Sequence, residues 1–266
     1  MYDFQKANMW KRISAALCDF ILLAIVVVGF AFLLASVLGI NNYVTQFDDL
    51  QTSYKKQYGI VSQEDYNALS AEERVNYIVE KDYASLTEEE RVKYDEANKA
   101  FSSDNEANYL YGMIMNNSLI MIIFSILLGY VLLEFIVPMI FKNGQTVGKK
   151  IFGVAVMRED GVRISSLLLF VRTVLGKYTV ETMIPVMIIV MIIFGVMGIV
   201  GTVVIVAMLI AQIVLVAATK ARTPLHDKLA HTVTVDYASQ MIFDTPEAMI
   251  AYKKKIHAEQ VEAEKN

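Results

Sequence analysis

The chain has 266 residues, of which 55% are apolar and only 20% are charged, and its net charge is −4. This balance, with no basic patch interleaved with aromatic residues, argues against a nucleic-acid-binding protein, so no nucleic-acid partner is expected. The single cysteine, Cys18, excludes an intrachain disulfide.

Three segments are almost free of charge: 20–40, 118–141 and 184–219. The first two contain one ionisable residue between them, Glu134, and the third contains none. Each is long enough to cross about 30 Å of hydrocarbon at about 1.5 Å per residue. These segments predict a multi-pass membrane protein and exclude an ordinary soluble enzyme.

The first apolar segment is predicted to be a retained membrane helix. It follows a short basic flank, as a secretory signal does, but the apolar run from Ile13 to Ile40 is too long for a signal h-region. No convincing small-residue cleavage site follows it. The segment is therefore interpreted as the first span.

The third apolar segment is too long for one span. Its 36 residues would form a helix of about 54 Å, which exceeds the bilayer thickness even with tilt. Gly195, Gly198 and Gly201 lie at its middle, where a tight turn would fall. Two spans, roughly 180–197 and 202–219, are therefore predicted, which brings the total to four.

Charge is distributed unevenly between the connecting segments. Residues 41–113 contain 7 Lys/Arg and 15 Asp/Glu, whereas residues 142–183 contain 7 Lys/Arg and 3 Asp/Glu. Three basic residues, Lys220, Arg222 and Lys228, also follow the last apolar segment. The positive-inside rule then predicts a plasma-membrane protein with both termini and 142–183 in the cytoplasm.

The acidic insertion contains two similar stretches, 69–77 and 86–94. Ser70 with Glu73, and Thr87 with Glu90, have the spacing of a capping box, so each stretch is expected to begin a helix. An extracytoplasmic helical hairpin is predicted. Two interpretations remain open: a surface for an extracytoplasmic partner, or a solvated face without a ligand.

The cytoplasmic segments predict a small β-structure. Asp160-Gly161 between apolar runs indicates a β-hairpin, and the alternating residues Thr232–Asp236 supply a third strand. Apolar residues between 164 and 178 fall on one face of a helix, which is expected to lie flat at the inner membrane interface.

These elements predict an all-α membrane protein with about four transmembrane helices, an extracytoplasmic helical hairpin and a small cytoplasmic β-hairpin or sheet. The predicted parts are 1–40 (cytoplasmic N-terminus and first span), 41–115 (acidic insertion), 116–237 (remaining spans and cytoplasmic loop) and 238–266 (cytoplasmic C-terminal helix).

Short motifs follow one another in a fixed order. Arg12 precedes the first span and Asp19 lies within it. After the second span comes a glycine-containing loop, and a Leu-His-Asp sequence with Asp227 follows the last span. The loop motif comprises Gly144, Gln145, Thr146, Gly148, Lys149 and Gly153.

In this order the motifs resemble those of the RDD family of small polytopic membrane proteins, over about 1–40 and 115–237. The resemblance places the family's arginine and two aspartates at Arg12, Asp19 and Asp227. It implies a membrane protein for which transport is the usual suggestion. His231 departs from the glycine that the family usually has there.

Three oxygen-bearing side chains are predicted to lie at one depth in the membrane. Asp19, Glu134 and Gln212 each lie six or seven residues from the same end of a predicted span, near 10 Å deep. One interpretation is a hydrated pocket that binds a proton or a hard cation. Pro138, four residues after Glu134, would free a backbone carbonyl at that level.

The alternative is structural. Glu134 and Gln212 would then hydrogen-bond neighbouring helices, and Asp19 would pair with Arg172 or Arg12.

The glycine loop does not have P-loop spacing, so a nucleotide site is not expected. Lys149 and Lys150 are instead expected to contact anionic lipid headgroups.

Asp227 is expected to cap a helix or to pair with Arg12 or the basic loop. No cysteine cluster accompanies His226 and His231 to complete a set of metal ligands, so no metal and no cofactor is expected. No Ser-His-Asp arrangement is visible, which argues against an enzyme.

The leading hypothesis is transport or binding of a cation, a proton or a small solute through the buried acidic site, with a homodimer as the expected assembly. The alternative is a non-transporting scaffold or assembly factor that acts through its external hairpin.

Overall fold

The computed structural model describes residues 5–219 and 222–265, so Lys220 lies outside the described residues. The strands are β1 (Ile60–Val61), β2 (Ile78–Val79), β3 (Val154–Arg158) and β4 (Thr232–Asp236). The helices in chain order are α1 (Met9–Val37), α2 (Ile40–Gln57), α3 (Gln63–Ala68), α4 (Glu88–Ser102), α5 (Asn105–Phe141), α6 (Val147–Ile151), α7 (Ser166–Ile193), α8 (Gly198–Ala218), α9 (Leu225–Leu229) and α10 (Pro246–Lys265).

Four helices, α1, α5, α7 and α8, are long and apolar enough to cross a membrane, as predicted. The third apolar segment is divided between α7 and α8. Gly195 and Gly198, which flank the break, have φ angles of 71° and 49°. Glycine adopts this left-handed conformation without a steric penalty, which explains why the chain turns there.

The prediction of a separate, flat helix over 164–178 is wrong. This segment forms the first part of the long helix α7. Ser165 begins the helix: its Oγ accepts a hydrogen bond from the Leu168 N–H at 3.3 Å. Nothing in the sequence interrupts the helix before Pro185.

Two helices contain π-helical stretches, Val131–Ile136 in α5 and Val171–Met183 in α7. Each stretch ends two residues before a proline, Pro138 or Pro185. A proline has no N–H and clashes with the carbonyl four residues earlier, and the wider π-helical turn accommodates it.

The chain divides into two compact units: the described parts of Met1–Phe30 with Ile123–Asn266, and Ala31–Ile122. In the second unit α2 contacts α4, and β1 pairs with β2 in parallel. The capping box of Thr87 and Glu90 begins α4, as predicted. Ser70 and Glu73 make similar contacts but begin only a single 3₁₀ turn, because the chain then enters β2. The location of this unit outside the cell stays a prediction.

In the first unit β3 and β4 form an antiparallel pair, with Val154 opposite Asp236 and Arg158 opposite Thr232. The turn at Asp160-Gly161 forms, since the Gly161 N–H donates to the Arg158 carbonyl at 3.0 Å. The predicted hairpin is otherwise wrong: the returning chain makes one bridge, Arg163 with Met157, before α7 begins. The main partner of β3 is β4, the segment Thr232–Asp236 that was predicted as a third strand.

Candidate functional site

A cavity of about 370 Å³ lies within the first unit, between residues of α1, α5, α6, α7 and α9. Four carboxylates, four basic side chains and one histidine line it, so its formal charges nearly cancel. Charges within membrane spans are tolerated when they pair with one another in this way. These residues are Arg12, Asp19, Glu134, Lys149, Arg172, Lys177, Glu181, His226 and Asp227.

Asp19 is held by the glycine loop. The Thr146 hydroxyl donates to Asp19 Oδ2, and the Gly148 N–H donates to Asp19 Oδ1 at 2.7 Å. Thr146 also begins α6, because its Oγ1 accepts the Lys149 N–H at 3.3 Å. Gly148 lies so close to α1 that a Cβ there would be 2.4 Å from the Ala15 carbonyl oxygen. The loop motif therefore fixes the position of Asp19, and the predicted pairing of Asp19 with Arg172 or Arg12 is not formed.

The other loop residues hold the loop against β3. The Gln145 side-chain amide donates to the Val154 carbonyl at 2.8 Å. Gly144 has a φ of 61°, and a Cβ there would be 2.9 Å from the Val156 carbonyl oxygen. Gly153 also has a left-handed φ, 64°. These contacts give the glycines a structural role, and the absence of a nucleotide site stays a prediction.

Lys149 does not face the lipid headgroups. Its side chain is 11% exposed, and its Nζ lies 3.9 Å from both Asp19 Oδ2 and Glu134 Oε2. Its hydrogen bond goes to Thr146 Oγ1, at 3.3 Å. The headgroup prediction is therefore wrong for Lys149. Lys150 is exposed, with its Nζ 3.8 Å from the centre of the Phe141 ring.

Glu134 is surrounded by cations. Its Oε1 lies 2.6 Å from Lys177 Nζ, and its Oε2 lies 4.0 Å from Arg172 Nη1. Oε2 is buried and has no hydrogen-bond partner within the described part of the chain. The backbone carbonyl of Glu134 accepts the Thr173 hydroxyl at 2.9 Å, because Pro138 cannot donate to it. The freed carbonyl was predicted from the sequence; its partner was not.

Asp227 pairs with Arg172 and not with Arg12. Arg172 Nε donates to Asp227 Oδ1 at 2.7 Å, and the Thr232 and Thr234 hydroxyls each donate to this carboxylate at 3.0 Å. Burial alone would raise the pKa of Asp227, but Arg172, His226 and Lys149 together outweigh burial and hold the pKa well below its usual value. Arg12 instead donates to the Arg222 carbonyl at 2.7 Å.

Two of the three oxygen-bearing residues predicted to share one depth lie in the same cavity. Asp19 and Glu134 line the cavity together, linked by Lys149. Gln212 does not line it; the Gln212 Oε1 accepts the Leu225 N–H at 3.3 Å, and its side chain also bonds Glu181. Residue counting gives the depth of a side chain in a span but not its direction around the helix axis.

Sequence reasoning missed Lys177, Glu181 and His226 as cavity residues. Glu181 contacts His226 twice: its Oε1 accepts the His226 backbone N–H at 2.9 Å, and its Oε2 lies 2.7 Å from the ring Nδ1. A signal was present in the sequence, since Arg172, Lys177 and Glu181 interrupt an otherwise apolar stretch. The predicted interfacial helix over 164–178 places Arg172 and Lys177 on the face opposite its apolar residues, and Glu181 falls in the predicted span 180–197.

The model of the RDD family matches residues 6–231, which is most of the chain. The chain belongs to the RDD family. Arg12, Asp19 and Asp227, which the resemblance matches to the family's arginine and two aspartates, all line the cavity. Searches of curated proteins and of solved structures found no match. At His231, where glycine is usual in the RDD family, the histidine has a φ of 49°, so the turn forms in the left-handed conformation.

His226 of this RDD protein is expected to titrate below the usual pKa of a histidine. Burial lowers the pKa of His226, although Asp227 and Glu181 favour its charged form. With only three histidines in the chain, ¹⁵N NMR of the imidazoles resolves each titration. Glu181→Gln should lower the pKa of His226 further, because it removes a carboxylate bonded to the ring. A His226 pKa at or above 6.5, the usual value for histidine, would contradict this expectation.

Proposed function

We propose that this RDD-family protein exchanges a small monovalent cation for a proton across the plasma membrane, through the charged cavity. The observation that carries the proposal is the position of Lys149. Its ammonium group stands between Asp19 and Glu134, 3.9 Å from each, in the place that a bound cation would take. The Oε2 of Glu134, which accepts no hydrogen bond from a described residue, supplies an oxygen ligand facing this position.

The protonation of Lys149 links the cation to the proton. Burial lowers the pKa of Lys149 from 10.5 to about 8, against the opposing effect of Glu134. When Lys149 releases its proton to water in the cavity, the two carboxylates lose their shared ammonium group. Carboxylate and hydroxyl oxygens are the ligands that hard cations prefer, so a cation entering there restores the charge balance. One proton leaves for each cation that binds.

The charge distribution supports a fixed orientation for this protein. The basic excess of 142–183 supports a cytoplasmic position for Lys149, and the acidic excess of 41–113 supports an external position for that segment. Both termini are then cytoplasmic. Four spans are few for a transport path, so we propose that the working form is a homodimer.

The test is Na⁺ and H⁺ flux in proteoliposomes under imposed Na⁺ and pH gradients. In the native protein, Na⁺ uptake should rise as the pH passes upward through about 8, accompanied by H⁺ movement in the opposite direction. Asp19→Asn and Glu134→Gln should each lower the flux at least about tenfold, because each removes an anionic ligand. Lys149→Met should separate Na⁺ movement from H⁺ movement and abolish the pH dependence.

The matched controls are exposed residues of the same types: Asp48→Asn, Glu89→Gln and Lys150→Met. They should leave flux and pH dependence unchanged. A folded native protein without Na⁺ flux, or with flux that survives Asp19→Asn, would overturn the proposal and favour the scaffold function instead.

A further inference from the structure

A second cavity, of about 630 Å³, opens where α1 begins and α8 ends. Its walls are mainly apolar, and its charged side chain is Arg222. We call it the α1–α8 groove; it is lined by Met9, Gln212, Ile213, Val216, Ala217 and Arg222. Met9 and Val216 also line the charged cavity, so the two cavities adjoin.

Arg222 is held in an uncommon backbone conformation. Its φ is 52°, a value that residues other than glycine rarely adopt, and such conformations cluster at functional sites. Its N–H donates to the Thr219 carbonyl at 2.9 Å, and its own carbonyl accepts Arg12 Nη2 at 2.7 Å. These contacts bring Arg12, which lines the adjoining charged cavity, to the backbone of Arg222 at one end of the groove.

Neither arginine forms a close ion pair with a described residue, although Asp227 attracts the Arg12 guanidinium at longer range. Among the described residues, no carboxylate lies within 4.0 Å of the Arg12 or the Arg222 guanidinium, whereas Arg172 forms an ion pair at 2.7 Å. Two adjacent guanidinium groups repel each other, and the pair is stabilised by an anion that both can contact.

We propose that the α1–α8 groove binds an anionic phospholipid, with its phosphate at Arg222 and Arg12 and an acyl chain along Ile213 and Val216. Guanidinium groups match the geometry of phosphate oxygens, and the apolar wall suits an acyl chain. The groove lies at the ends of two membrane-spanning helices, where headgroups lie. The proposal does not rest on cation exchange, although Arg12 also lines the charged cavity, and it differs from the predicted contacts of Lys149 and Lys150.

The test is native mass spectrometry of the purified full chain in zwitterionic micelles, titrated with phosphatidylglycerol or phosphatidylcholine. The native protein should retain phosphatidylglycerol with at least about tenfold preference. Arg222→Gln, at an exposed position, should remove most of that preference without unfolding the protein. Arg12→Gln should act in the same direction. Arg222→Lys should retain part of the preference, because lysine keeps the charge but loses the two-pronged contact.

Lys6→Gln and Lys228→Gln are the controls, because both lysines are exposed and neither lines the groove. They should leave the lipid preference unchanged. An equal preference in native protein and Arg222→Gln overturns the proposal. Displacement of the lipid by inorganic phosphate at millimolar concentration also overturns it, since the site would then recognise phosphate alone. Lipid binding is measured without flux, so its failure is distinct from a failure of the proposed exchange.

Discussion

Replacing Asp227 with asparagine is expected to lower the free energy of unfolding by about 3–5 kcal/mol. Asp227 and Arg172 form an ion pair at 2.7 Å, with side chains that are 1% and 2% exposed. Asparagine keeps the size of the side chain and one oxygen acceptor, so the change mainly removes the negative charge. The guanidinium then stays buried, with Glu134 at 4.0 Å as its remaining carboxylate partner. Denaturant titration of the purified protein in micelles measures the loss.

Asp236→Asn is the matched control. Asp236 forms an ion pair with Lys11, also at 2.7 Å, but the Lys11 side chain is 47% exposed. An exposed pair contributes at most about 1 kcal/mol, so this variant should stay close to the native protein. Equal losses for Asp227→Asn and Asp236→Asn would show that burial of the Arg172 pair does not stabilise the fold.

The number of spans was predictable from the sequence, because it depends on the length of apolar segments and on the positions of glycines. The 36-residue segment had to turn, and Gly195 and Gly198 lie where it does. The start of α7 was not predictable in the same way. An amphipathic segment from 164 to 178 has the same pattern whether its polar side faces water or a buried cavity, and only its packing distinguishes the two.

The site was predictable in part. Asp19 and Glu134 were placed at one depth by counting residues, and they do meet in the cavity. The cationic partners of Asp19 and Glu134 were not predictable. Lys149 lies in the short helix α6 and Lys177 in the π-helical stretch of α7, and the sequence does not show which way either side chain faces. A depth of about 10 Å along three helices leaves the rotation of each helix open, which is why Gln212 lies elsewhere.

Gly148→Ala is expected to destabilise the protein by about 1–3 kcal/mol and to disrupt the contacts of Asp19. The new Cβ would lie 2.4 Å from the Ala15 carbonyl oxygen and 2.9 Å from Asp19 Oδ1. The nearest atom belongs to the backbone of α1 and cannot rotate away, so the loop and the helix must separate. Separation lengthens the bonds that Thr146 and the Gly148 N–H make to Asp19. Denaturant titration measures the loss of stability.

Gly29→Ala in α1 is the control, because the described residues leave open space around a Cβ at that position. Alanine has the higher helix propensity, so this variant should be unchanged or more stable by up to about 1 kcal/mol. A double-mutant cycle with Asp19→Asn then tests the mechanism. If Gly148 stabilises the protein by holding Asp19, both substitutions remove the same contacts. Gly148→Ala should then lower the free energy of unfolding clearly less in the Asp19→Asn background than in the native protein. Fully additive losses would mean that Gly148 serves only the packing of α6 against α1.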